Sequence, residues 1–173
     1  MNRDDLKTLI RAAFADVQRP GNWALRGSNE GEEPYLVEQA FADKPDWRDL
    51  DASFLDHAPD GYASALSFLS DEGFRYFLPA YLIADVDDLL ETVNPVFHLC
   101  HGLDDQTRVQ PVNPRRYGPR TWFEERRYRF AVFTAAEAKA IVAYLRYKAD
   151  REAFDRTLIE PAIRNFWGER AAE

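Results

Sequence analysis

The chain has 173 residues, enough for one ordinary domain with a real core. It is 46% hydrophobic and 30% charged, a globular rather than a disordered composition. A net charge of −8 disfavours nonspecific nucleic-acid binding, and one cysteine, Cys100, excludes an intramolecular disulfide. The N-terminus MNRDDLKTLIRAAF brings acids at once and no apolar h-region, so no cleaved signal peptide is expected. No apolar run approaches the ~18 residues of a membrane span. The expectation is a protein of the cytoplasm, with no membrane partner.

Leu6, Leu9, Ile10, Ala13, Phe14 and Val17 recur at helical spacing, which predicts an amphipathic helix over about residues 4–17. Arg19-Pro20-Gly21 ends it, and residues 18–33 read as a loop. Pro34 suits the first turn of a short helix through Phe41. Asp46 to Leu50 predicts a further helical turn, and Ser53 is placed to cap a short helix reaching His57. Asp60 is expected to begin a helix with Tyr62, Ala65, Leu66 and Leu69 on one stripe. Ser70 then caps the dense apolar segment SDEGFRYFLPAYLIADVDDLLE. Pro79 lacks an amide hydrogen, so it should kink this element or start a new helix.

Pro95 opens a short helix ended by Gly102. Residues 103–129 form a long irregular basic arm, with weak alternation after Trp122 that suggests a strand-like piece. Thr134 to Glu137 is a capping box for a helix carrying Ala138, Ile141, Val142 and Leu145. Phe154, Leu158, Ile159, Ala162, Ile163 and Phe166 give the last stripe. The expected core includes Leu66, Leu69, Phe74, Phe77, Leu78, Leu82, Ile141, Leu145, Leu158 and Ile163. The fold class is mainly α: a single domain over residues 1–173, an irregular bundle of about seven or eight short helices.

Three stretches carry a family resemblance. The run from Ala65 to Leu82, with Phe-Arg-Tyr-Phe-Leu-Pro-Ala-Tyr at its centre, resembles small bacterial proteins known only as a domain of unknown function. Trp47-Arg48-Asp49-Leu50 fits the same pattern. So does Arg129-Phe130 followed by Thr134 and a helix with Tyr144 and Leu145. The resemblance implies a fold and a bacterial source, and no reaction, catalytic residue or cofactor.

The charges are unevenly spread. Met1 to Thr107 holds 8 Lys/Arg against 21 Asp/Glu, Arg108 to Arg129 holds 7 Arg against Glu124 and Glu125, and the remainder balances. Arg115, Arg116, Arg120, Arg126, Arg127 and Arg129 interleave with Tyr117, Trp122, Phe123 and Tyr128. That pattern serves anion contact by charge and stacking, or an intramolecular clamp on the acidic part. Arg75 lies among aromatics, where a buried charge calls for a partner such as Asp85 or Asp88, or for a ligand.

His98 and His101 share a helix face, with Cys100 between them, and are the candidate metal ligands; Asp85, Asp87 and Asp88 are the carboxylates that could complete such a site. The plainer reading is two histidines at a helix C-terminus. Cys100 reads as a buried thiol rather than a nucleophile. No nucleophile elbow, P-loop or dinucleotide fingerprint is present. The leading expectation is a non-enzymatic, acidic, protein-binding molecule of the bacterial cytoplasm, immunity- or antitoxin-like, with no cofactor. The candidate contact residues are Arg75, Asp85, Asp87, Asp88, Arg115, Arg116 and Trp122. The alternatives are an unrecognised enzyme, metal-dependent through His98 and His101, and a module that binds a small anion.

Overall fold

A computed structural model describes residues 1–59 and 64–173. The class is all-helical, with two isolated β-bridges and no strand among the described residues. The elements are more numerous than seven or eight, because prolines and polar caps divide the chain into several single-turn pieces. The expected helix start at Asp60, with Tyr62, lies outside the described residues. The contacts divide the chain at Pro95/Val96 into two compact units.

In the N-terminal unit, α1 (Arg3–Ala13) begins at Asn2, whose side chain accepts the Asp5 amide. It buries Leu6 and Ile10, and it ends before the predicted Val17. A 3-10 turn (Asn22–Ala24) leads to α2 (Glu33–Phe41), which has proline in its first turn as expected. A second 3-10 turn (Trp47–Asp49) precedes α3 (Ala52–His57). The cap of α3 is Asp51, which accepts the Phe54 amide, and not Ser53; a carboxylate is the stronger acceptor at a helix N-terminus. A single turn, α4 (Ala65–Phe68), follows.

α5 (Asp71–Val86) is the centre of this unit. Ser70 caps it, accepting the Gly73 amide at 3.0 Å. Phe74, Tyr76, Phe77, Leu78, Tyr81 and Leu82 are all buried, so the helix is covered nearly all round. α1, the Trp47 turn and α3 pack on it. Pro79 lies inside this one helix and does not start a second. Burial offsets the missing amide bond, whose cost alone is about 3 kcal/mol. Phe41 meets Phe77 and Phe54 edge-on, with centroids 4.6 and 5.0 Å apart.

Two polar hubs fix the loops of this unit. Arg19 donates to the carbonyls of Lys44 (2.8 Å), Pro20 (2.9 Å), Phe41 (2.9 Å) and Ala42 (3.3 Å), and to Asn22 Oδ1 (2.8 Å). It thereby satisfies carbonyls that α2 leaves open at its C-terminus. Asp56, 4% exposed, accepts from the amides of Glu91 (3.1 Å), Thr92 (2.9 Å) and Val93 (2.9 Å). It ties the loop after α5 to α3.

The C-terminal unit takes in α6 (Pro95–Cys100) beyond its first residue, a 3-10 turn (Gln106–Arg108), α7 (Pro114–Tyr117), α8 (Trp122–Phe130) and α9 (Ala135–Arg151). α8 replaces the expected strand-like piece. Thr121 and Glu124 form a capping box there, a helix-start signal stronger than the weak alternation behind it. Thr134 and Glu137 form the second box, as expected. α10 (Ala153–Ala162) runs through a π turn (Ile163–Trp167) into α11 (Gly168–Ala172), and both helices pack on α9.

Of the ten expected core residues, Leu66, Leu69, Phe74, Phe77, Leu78, Leu82, Ile141 and Leu145 are buried. Leu158 and Ile163 are half-buried instead. The inward stripe of α10 runs Asp155, Ile159 and Ala162 and continues to Phe166, which leaves Phe154 79% exposed. The hydrophobic count missed this phase because a buried carboxylate, Asp155, holds one core position. Trp167 closes this core against Phe130 (4.9 Å), Phe133 (5.5 Å) and Phe166 (4.9 Å). Its indole N–H donates to the Leu99 carbonyl at 2.8 Å.

Candidate binding surfaces

The two histidines of α6 lie in an aromatic and cationic environment. His101 stacks on Phe97 at 4.9 Å with 19° between planes, and meets Trp122, the first residue of α8, edge-on at 5.7 Å. Gly102, with φ +87°, ends the helix in a conformation that favours glycine. A Cβ there would come within 2.6 Å of Arg126 Cγ, so its absence lets the Arg126 stem lie close. Arg126 also lies over Trp122, 5.8 Å from the ring centre.

Burial holds the His98 imidazole down to about 4, helped by the guanidiniums of Arg126 and Arg129 and by His101. Burial lowers His101 as well, and Arg126 adds to this against the opposing pull of Asp104. Both rings are therefore neutral near pH 7. A divalent cation at this pair would meet the same guanidinium repulsion. Among the described residues, no group of three or more His, Cys, Asp or Glu is arranged to hold a metal ion. Cys100 is 3% exposed, and burial, with the Asp155 carboxylate, pushes its thiol up, which keeps it protonated.

The arginines of the basic arm meet aromatics of the same unit. Arg108 lies 3.9 Å over Phe123 and Arg127 5.8 Å over that ring; Arg116 lies 5.0 Å over Tyr117 and Arg120 5.8 Å over Tyr128. Arg120 also pairs with Glu125 at 3.0 Å, and Asp105 takes both Arg164 (2.9 Å) and Arg108 (3.6 Å). Arg115 and Arg116 are exposed on α7, and Arg115 makes no ion pair among the described residues. Tyr128 is 70% exposed and Phe97 44% exposed.

The candidate residues of the N-terminal unit have different surroundings. Arg75 and Asp85 are half-buried on α5. Asp87 caps the C-terminus of α5 and takes Lys7 Nζ at 2.8 Å, which raises the lysine. Asp88, at φ 58°, takes Arg3 at 2.7 Å. These two acids tie the first turns of α1 to the end of α5.

The N-terminal unit holds eight Lys/Arg against nineteen Asp/Glu, net −11, and the C-terminal unit fourteen against eleven, net +3. Five of the eight cations are spent inside the acidic unit: Arg3 on Asp88, Lys7 on Asp87, Arg26 on Glu38, Lys44 on Asp43 and Arg48 on Asp46. The exposed Asp5, Asp16, Glu32, Glu33, Asp49 and Glu72 have no ion-pair partner among the described residues. Counting residues revealed the excess acid, but only the pairing shows which acids remain available.

The model described as "Family of unknown function (DUF6714)" matches residues 2–171, and the chain belongs to that family. No curated protein and no solved structure matches it. No described helix is long and apolar enough to cross a membrane.

Proposed function

We propose that this member of a family of unknown function is a non-enzymatic binding protein of the bacterial cytoplasm that captures a basic protein partner on its N-terminal unit. The observation that supports this reading is the pairing pattern of the acidic unit. Its cations are largely consumed by its own carboxylates and carbonyls, so the surplus acids face water. Such a field steers a basic partner and rejects acidic ones. An immunity- or antitoxin-like role is the concrete form, in which the acidic face occludes a basic surface on its target. The neutral, packed His98/His101 pair and the protonated, buried Cys100 favour binding over chemistry at α6.

The test is affinity capture by the full chain from a bacterial host that encodes it, at low and at raised salt, beside the Glu32→Lys/Glu33→Lys/Asp49→Lys variant. A stoichiometric basic protein should be retained at low salt, released as salt rises and missed by the variant. Recovery of no stoichiometric partner, or equal capture by the variant, overturns the reading.

A further inference from the structure

The N-terminal unit contains a cavity of about 350 Å³, at the small end of the range for small-molecule sites. It opens where the end of α1, the Trp47 turn, the start of α3 and α5 come together. Its aliphatic lining is Leu50, Ala52, Ala80, Ile83, Ala84 and Leu89. Two alanines one turn apart on α5 supply the concavity, since longer side chains there would fill it. Leu89 is 57% exposed, an apolar residue left open to water beside the cavity.

Two donors at this cavity lack acceptors. Trp47 lines it and is 2% exposed, yet its Nε1 finds no hydrogen-bond partner among the described residues. Buried polar atoms are nearly always satisfied, so an orphaned indole N–H on a residue of the cavity wall is a local exception. Arg11 also lines the cavity and makes no ion pair among the described residues. The other charged groups of the lining are engaged. Arg48 pairs with Asp46 at 3.0 Å, Asp87 takes Lys7 at 2.8 Å, and Asp51 accepts the Phe54 amide at 2.8 Å.

We propose that this cavity binds a small organic monocarboxylate. Arg11 takes the carboxylate, and the apolar lining, with the Trp47 indole in its wall, takes the hydrocarbon body. Arg11, without an ion pair among the described residues, selects an anion. Asp51 and Asp87 in the lining, within a unit of net −11, select a single charge, because a second would meet carboxylates at short range. Inorganic phosphate, a mixture of mono- and dianion near neutral pH and without a hydrocarbon body for the apolar lining, is thereby disfavoured. Of the exposed acids proposed to face a protein partner, Asp49 lies in the Trp47 turn between the lining residues Arg48 and Leu50, and Asp5, Asp16, Glu32, Glu33 and Glu72 do not line the cavity.

The test is a titration of the full-length, ¹⁵N-labelled chain with phenylacetate, hexanoate and inorganic phosphate, following the four tryptophan indole N–H resonances. The carboxylates should shift the Trp47 resonance saturably, and phosphate should not. Arg11→Gln, at an exposed position that keeps the remaining spectrum as a check on folding, should weaken carboxylate binding by about tenfold or more, the loss of one charge-assisted contact. Leu89→Glu should weaken it as well, by placing a like charge beside the cavity. The absence of any saturable shift up to about 10 mM carboxylate overturns the proposal. So does phosphate binding as tight as the carboxylates, or wild-type affinity in Arg11→Gln.

Discussion

Replacing Asp56 by Asn should cost about 2–4 kcal/mol at neutral pH, and that cost should shrink in acid. The carboxylate accepts from three backbone amides and from the Thr92 hydroxyl at 3.1 Å. An amide side chain keeps one acceptor oxygen and turns two hydrogens toward these donors. Val93 is buried, so its orphaned N–H carries a desolvation penalty of ~1–3 kcal/mol, while the exposed Glu91 and Thr92 can recover water and lose only a few tenths to ~1 kcal/mol each. Burial works to raise the Asp56 pKa, but the Val93, Thr92 and Glu91 amides and the Thr92 hydroxyl outweigh it, and the net shift is downward. The folded value thus lies below the unfolded one. The carboxylate's contribution is complete above about pH 4 and disappears as pH falls through the lower, folded value. Urea unfolding of wild type and D56N at pH 7 and near pH 3 measures both parts. A penalty under about 1 kcal/mol at pH 7, or one unchanged near pH 3, would refute the reasoning.

Arg19→Ala should destabilise by about 2–3 kcal/mol, and Arg19→Lys should rescue little, because one ammonium cannot reach five acceptors; thermal unfolding of both variants decides this. His98 should show a flat C2–H chemical shift from pH 8 down to about 5.5, since its pKa is held to about 4. Its neutral form stabilises the fold fully above the unfolded pKa, a contribution lost as pH falls toward the folded value. A mid-point near 6.5 in an NMR titration would contradict the burial described for it. Gly102→Ala should cost about 1–2 kcal/mol in chemical denaturation, from the positive φ and from displacement of Arg126.

The sequence made legible whatever is local and repetitive. Caps at Ser70 and Thr134, prolines opening α2 and α6, and the apolar stripe of α5 all depend on neighbours a few residues away. The core positions of α5 and α9 followed from spacing alone. Errors arose where distant groups decide. Asp155 occupies a core position that counting gave to its apolar neighbours. The stretch after Trp122 showed weak alternation, and the Thr121/Glu124 box made it a helix. Nor does spacing show that Asp87 and Asp88, expected contact residues, hold Lys7 and Arg3, eighty residues and more away in the chain. Arg11 carried no motif, and the Trp47-Arg48-Asp49-Leu50 stretch implied no ligand. Their common cavity exists only because α1 and the Trp47 turn meet on α5, and no spacing rule could have joined them.

The π turn of Ile163–Trp167 makes the length of that segment count for more than its composition. Gly168 donates its amide five residues back, to the Ile163 carbonyl, and any Cβ at Gly168 would lie 2.8 Å from that oxygen. The extra residue rotates everything after it, which delivers Trp167 into the core and brings Arg170 onto the carbonyls of Phe133 (2.7 Å) and Ala131 (3.1 Å). Deleting one residue here would restore an ordinary helix while turning α11 by about 100° about its axis. The last anchor of the chain would then point away from its acceptors. A one-residue deletion at this point should be less tolerated than most substitutions around it, a constraint on insertions and deletions that no inspection of individual side chains would reveal.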